Sequence, residues 1–567
     1  NVFIKVRNGL VFFDSFFIEL VYSRNYTKTR DEKVMDFIYT IFFTFYTIQF
    51  FTLKYIIGSM RKLFYLFPIL LCIFVSCFSS QNKNNDIVQE KIDMSNIQPS
   101  RNICKPLTNA NPISSNVFCA DPTGVEYEGR LYVYGTNDHQ QYTTVGKSGK
   151  NTYEHIKSLV CFSTEDMVNW TYHGEINVKG IAPWIYASWA PSIVSRVEDD
   201  GLTHFYLYFS NSGAGVGVLT STSPLGPWSD PLKKPLISHQ TKGVGDCPAP
   251  FDPGVCIDDN GTPWLAFGGC GKAPSGTDLW PNSARIVQLG DDMISLASEI
   301  KVMPSPYFFE ASELNYINDT YVYTFNTSWD KREEWPEKFV GIPKPSTCSM
   351  AYMISKTPLD MDSWEYKGHY FRNPGEAGMN YSNNHSHFMK YKGQYYMIYH
   401  AMILQDKMGT DGGFRSLCID TLKVDEENLN IELRSGSVAG VKQIENYNPY
   451  KLSLGTTMFT SADIWYERVK GENVWATKAM ETGAWVLIKD VDFETGAKTF
   501  TTKVKGHGKI ELKLDNVAKT PVAAFAVDSD EWQEITIDVP SDFSDVHFLY
   551  ILFGNKDICL KEWHFNK

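Results

Sequence analysis

Three carboxylates and an imidazole stand at a nearly shared distance before short aromatic runs in this 567-residue chain. Asp121 lies 10 residues before Leu131, Asp252 lies 11 before Pro263, Glu310 lies 11 before Tyr321, and His385 lies 10 before Tyr395. Carboxylates that converge repel one another, and at least one pKa rises. That is how a general acid and a general base coexist near neutral pH. Asp recurs in turns for local reasons, but a simple turn does not need Glu310 behind the apolar Tyr307-Phe308-Phe309. Two neighbours compete for these places. Glu313 rivals Glu310, at a shorter spacing of 8 before Tyr321, and His387 rivals His385 two residues on.

The elements that must position these groups are short aromatic strands. GRLYVYG (129–135), THFYLYF (203–209), GTPWLAF (261–267), DTYVYTF (319–325) and GQYYMIY (393–399) each follow a turn residue, as a strand leaving a hairpin does. They recur at intervals of 58 or 74 residues, with further strand-like runs between them that end in Trp170, Trp228 and Trp364. Helical periodicity is nearly absent. Five sheet units at such a period predict an all-β, five-bladed β-propeller, with a long β-sandwich as the alternative. In a propeller the first strand of each blade lines the central channel, so equivalent positions meet at the axis.

Composition narrows the function classes. The chain is 43% hydrophobic and 14% aromatic, which excludes a disordered protein. A mean hydropathy of -0.25 excludes a polytopic membrane protein. Net charge is -12, without the basic footprint of a nucleic-acid binder. Acidity with abundant Tyr and Trp suits neutral ligands that stack on rings. The 11 cysteines include no CxxC pair, so no zinc ribbon or redox motif is indicated. No Gly-rich phosphate loop joins a strand to a helix.

Residues 108–435 resemble glycoside hydrolase family 43, five-bladed propeller enzymes that cleave arabinofuranosyl or xylosyl linkages with inversion. ADPTGVEYEGRLYVYGTND (120–138) is similar to the motif carrying the general base, here Asp121. FDPGVCIDDNGTPWLAFGG (251–269) resembles the motif whose Asp, here Asp252, tunes the pKa of the acid and orients it. FFEASELNYINDTYVYTF (308–325) resembles the motif of the general acid, here Glu310. WAPSIV (189–194) is similar to a segment walling the sugar subsite, which implies that Trp189 stacks on the sugar. The segment 413–429 resembles one whose Arg, here Arg415, reaches toward the sugar and the pKa-tuning Asp. The segment 383–400 resembles the closing blade, whose axial His is here His385. Members often hold a hydrated calcium or other ion near this His, and no cofactor is needed for the chemistry. The implied reaction is exo-acting, inverting release of arabinofuranosyl or xylosyl residues from plant cell-wall polysaccharide. The alternatives are an endo-acting arabinanase or xylanase of the same fold and a non-catalytic surface glycan-binding lipoprotein.

Both ends of the chain differ in texture from the repeats. Residues 456–567 read as a β-sandwich of short strands, among them 498–506 and 509–515. They resemble a family 6 carbohydrate-binding module, which implies a loop-tip sugar cleft between Trp475 and Trp532. Residues 60–77 resemble a bacterial lipoprotein signal, with basic Arg61 and Lys62, an apolar run and a lipidated Cys77. Residues 1–59 then read as an upstream segment outside the native protein, with a membrane helix over 36–57 as the competing reading, and 78–107 as a tether. The expected protein is a monomer anchored by lipid to the bacterial cell envelope, with a propeller over 108–440.

Overall fold

A computed structural model describes residues 98–102, 105–330 and 332–567. The upstream segment, the signal with Cys77 and most of the tether lie outside the described residues. Among the described residues no helix is long and apolar enough to cross a membrane.

Five antiparallel sheets form the propeller, each running from an inner to an outer strand. Blade one comprises Ala120–Tyr127, Arg130–Thr136, Leu159–Thr164 and Trp170–Ile176. Blade two comprises Trp189–Val197, Thr203–Ser210, Gly215–Ser221 and Ile237–Ser238. Blade three comprises Gly254–Ile257, Pro263–Phe267, Arg285–Gln288 and Lys301–Val302. Blade four comprises Phe308–Ile317, Thr320–Thr327, Met350–Ser355 and Glu365–Phe371. Blade five has three strands, Ser386–Tyr391, Gln394–Ala401 and Ser416–Leu422. The segment before blade one closes the ring beside them: Ile113 N donates to Leu417 O and Cys119 N to Arg415 O, both at 2.9 Å. The aromatic repeats of the sequence are thus the second strands. Their large side chains fill the space between blades, as Tyr134, Tyr208, Tyr323 and Tyr399 do with no exposure.

The C-terminal region is a β-sandwich. The runs at 498–506 and 509–515, expected as two strands, form one 16-residue strand, Thr499–Leu514. Its register shifts between Val504 and Gly506, and Gly506 and Gly508 take φ values of 119° and 138°. Such a bulge with positive-φ glycines lets one strand bend without breaking, its first half pairing with Cys559–Asn566 and its second with Val546–Phe553.

Propeller and sandwich share a core. Thr457–Met458 pairs with Trp170 and Thr171 as a fifth strand of blade one. Phe162, Trp170 and Tyr172 of that blade and Ile398 of blade five pack with Tyr466, Val486 and Ile510 of the sandwich. The end of the expected tether is docked as well, since Ser100 N donates to Gly483 O and Trp485 Nε1 to Ser100 O, both at 2.9 Å.

Trp475 belongs to this seam rather than to a loop-tip cleft. It starts the strand Trp475–Ala479 and lies over Gly174, where a Cβ would come within 1.8 Å of the indole nitrogen. Trp532 sits within the strand Ala523–Asp538, with Lys505 Nζ 5.1 Å from its ring centre. A short side chain at 475 would leave a gap between the two parts. Trp475→Ala should therefore cost about 2–3 kcal/mol, less than the ~3–5 of a fully buried Trp→Ala, and lower the melting temperature without changing affinity for insoluble xylan. An unchanged melting temperature with lost xylan binding would return Trp475 to a sugar site.

Candidate active site

The inner strands of blades one, two and four begin with a bulge, beside which the candidate groups stand. In blade one Ala120 pairs with Thr136 but Thr123 with Tyr134, so Asp121 and Pro122 bulge out. The same break falls between Trp189 and Ser192 in blade two and between Glu310 and Glu313 in blade four. One residue in each of these bulges takes a left-handed conformation, Asp121 (φ 49°), Ala190 (φ 34°) and Ala311 (φ 57°), and so does Asp252 (φ 48°) just ahead of the inner strand of blade three. Non-glycine residues rarely hold this conformation unless the surroundings impose it.

This register corrects the spacing argument. Glu310 stands one residue ahead of the position that Asp121 and Asp252 occupy, which in blade four is Ala311. Asp252 and Glu310 share an offset of 11 only because the hairpin of blade three, Gly254 to its partner Ala266, is one residue longer than that of blade four, Glu313 to Thr324. Glu313 lies past the bulge at 1% exposure, where Oε2 is 3.2 Å from His387 Nδ1 and Oε1 is 3.5 Å from His385 Nε2.

Asp121, Asp252, Glu310, His385, Arg415 and Trp189 line one cavity of about 160 Å³. Trp475 and Trp532 do not. Tyr153, Phe251, Cys270 and Asn383 complete the wall and were not singled out in the sequence. Phe251 was within reach, because it precedes a bulge aspartate just as Trp189 precedes Ala190. Tyr153 lies in the connection between the second and third strands of blade one, which no repeat marks.

Asp121 is clamped on three sides. Arg415 Nη1 donates to its Oδ1 at 2.8 Å, Thr136 Oγ1 donates to its Oδ2 at 2.7 Å, and its own amide donates to His400 Nδ1 at 3.1 Å. His400 Nε2 donates to Asn383 O at 2.8 Å, so both ring nitrogens are committed in the neutral tautomer. Burial, the largest single influence, favours a protonated Asp121, but the Arg415 guanidinium together with His400 and His385 outweighs it and holds the carboxyl well below the usual range. Arg415 also grips Asp138 through Nε and Nη2, each at 2.9 Å. Asp138 opens the helix Asp138–Val145, capped by Asn137. The expected reach of Arg415 toward Asp252 is therefore replaced by ion pairs with Asp121 and Asp138.

The other two carboxyls are pushed the opposite way. Asp252 Oδ2 accepts the Ala311 amide at 2.9 Å, and its amide donates to Ser210 Oγ at 2.8 Å. Burial raises its pKa to about 6, with His385 opposing and the Asp121 charge adding. Glu310, half-buried at the cavity wall, is raised to about 8 by desolvation and by the charges of Asp252 and Asp121. At neutral pH this arrangement places a proton on Glu310 beside an ionised Asp121.

His385 stands among carboxylates at the cavity wall. Its Nδ1 is 3.7 Å from Asp121 Oδ1 and its Nε2 is 3.5 Å from Glu313 Oε1. Burial disfavours its charge, but the Glu313, Asp121 and Asp252 carboxylates raise it to about 9. Among the described residues no three His, Cys, Asp or Glu side chains are arranged to hold a metal ion.

A propeller that brings an ionised and a protonated carboxyl to one sugar-sized cavity has the parts of a glycoside hydrolase. The chain belongs to glycosyl hydrolases family 43, whose sequence model matches residues 109–429. It is 34% identical over 485 residues to an arabinoxylan arabinofuranohydrolase of Bacillus subtilis (strain 168), covering 80% of this chain and 91% of that one. A second arabinoxylan arabinofuranohydrolase, from Paenibacillus polymyxa, is 32% identical over 486 residues, 80% of this chain and 73% of that one. Among solved structures, a family 43 arabinoxylan arabinofuranohydrolase from Bacillus subtilis in complex with cellotetraose superposes with a TM-score of 0.75 at 32% identity. That match covers 82% of this chain and 98% of the other.

Proposed function

We propose that this glycoside hydrolase releases arabinofuranosyl residues, or the related xylosyl residues, from hemicellulose such as arabinoxylan in an exo-acting, inverting reaction. Asp121 takes a proton from a water molecule as that water attacks the anomeric carbon. Glu310 gives its proton to the departing glycosidic oxygen, and both reset through solvent. Asp252 keeps Glu310 protonated by its charge and, through the Ala311 amide next to Glu310, holds the acid's strand in place. Trp189 offers a ring face to the sugar. The observation that carries the reading is geometric: one cavity is lined both by Asp121, which accepts from Arg415 and Thr136, and by Glu310, which stands next to Asp252 without a cationic partner of its own in an ion pair among the described residues.

Aryl arabinofuranoside and aryl xyloside, each followed by proton NMR with arabinoxylan alongside, test it directly. The expected first product has the inverted anomeric configuration; a retained first product would overturn the assignment of Asp121 as base.

The lipoprotein signal and the seam support two further readings. We infer that Cys77 carries a lipid at the bacterial envelope, so the intact mass of the mature protein should begin at Cys77. We infer that the sandwich serves first as a stabilising appendage, because its early strand completes blade one.

A further inference from the structure

In three blades a side chain at or next to the end of the second strand caps the amide of the left-handed residue that opens the following blade. The Ala190 amide donates to Thr136 Oγ1 at 2.8 Å, the Asp252 amide to Ser210 Oγ at 2.8 Å, and the Asp121 amide to His400 Nδ1 at 3.1 Å. In blade three the matching residue is Gly268, which has no side chain to offer. There the Asp252 carboxylate itself accepts the Ala311 amide. Local caps therefore hold the left-handed residue that opens each of blades one to four.

Thr136 differs from the other caps in what it joins. It is fully buried, and its hydroxyl meets two partners of fixed polarity. The Ala190 amide can only donate, so the oxygen accepts there. The hydroxyl proton is then committed to Asp121 Oδ2 at 2.7 Å, while Arg415 holds Oδ1 at 2.8 Å. Two donors, one per oxygen, fix the plane of the carboxylate; one donor would let it swing. The same hydroxyl holds the residue that follows Trp189, the ring lining the cavity.

We propose that Thr136 is a positioning residue that aims the Asp121 carboxylate at the attacking water and ties it to the Trp189 wall. This rests on the reading of Asp121 as base. The carboxylate would remain ionised without Thr136, because Arg415 is untouched, so the loss falls on aim. Misplacement of a catalytic group on the ångström scale costs roughly 10²-fold.

The test compares Thr136→Val, which keeps the shape and removes the hydroxyl, with Thr136→Ser, which keeps the hydroxyl. In the Val variant kcat should fall roughly 10–10²-fold, by the same factor on an aryl arabinofuranoside and on arabinoxylan. KM should move less than kcat. Thr136→Ser should recover to within about threefold of the wild type, the small residue of a misplacement largely corrected. If the Val variant does not fold, Thr136→Cys, with a feeble S–H donor, reads the same kcat ratio. A folded Val or Cys variant with unchanged kcat would overturn the proposal. So would a Ser variant as impaired as Val, or a loss confined to arabinoxylan. Failure of the underlying reading looks different, because Asp121→Asn would then stay active.

Discussion

Asp121→Asn should lower turnover about 10²–10⁴-fold, the usual worth of a general base, on arabinoxylan and on an aryl arabinofuranoside alike. Water must be activated whichever group departs, so the defect cannot depend on the leaving group. The fold should survive the change. Asn is nearly isosteric and its carbonyl can still accept from Thr136 or Arg415, while Arg415 keeps its two contacts to Asp138 at 2.9 Å. A melting temperature close to the wild type with collapsed kcat is therefore the expected pair of results. Loss confined to arabinoxylan would move Asp121 to the leaving-group side and reverse its role with Glu310. Retained kcat would remove it from the chemistry.

The fold was legible because its repeats are written in large residues. Aromatic second strands recur at a readable period, and the glutamate and aspartates before them stand out against apolar neighbours. What the sequence could not show is register. The offset of Glu310 coincides with that of Asp252 through a difference in hairpin length, and Glu310 stands one residue ahead of the equivalent position. Glu310 nevertheless lines the same cavity as Asp121 and Asp252, although the three positions are not equivalent. Pairings across 277 or more residues of sequence were out of reach, such as Arg415 with Asp138 rather than Asp252. The role of Trp475 was hidden for the same reason, since only the structure reveals that Gly174 makes room for its ring. In the sandwich, two glycines read as a strand end proved to be a bend in a single strand.

The pH dependence and the leaving group together single out Glu310. Its raised pKa keeps the proton on the acid at neutral pH, so activity is present below about pH 8 and fades as pH rises through that value. The cause is burial first, then the charges of Asp252 and Asp121. Asp252→Asn removes one of those charges, so the pKa of Glu310 should fall and the alkaline limb of kcat/KM should move to lower pH, with kcat reduced. Glu310→Ala goes further and removes the proton donor. Arabinoxylan, whose departing sugar oxygen needs protonation, should lose about 10²–10⁴-fold. An aryl glycoside with an acidic phenol leaves unaided and should keep much of its rate, with the alkaline limb gone. Glu313→Gln supplies the contrast. Glu313 contacts His385 and His387 away from the cavity wall, so its variant should keep the wild-type ratio of aryl to polymer activity even if its rate falls. Should Glu313→Gln spare the aryl glycoside selectively while Glu310→Ala impairs both substrates equally, the acid would be Glu313, and the cavity lined by Glu310 would have to bind sugar in some other way.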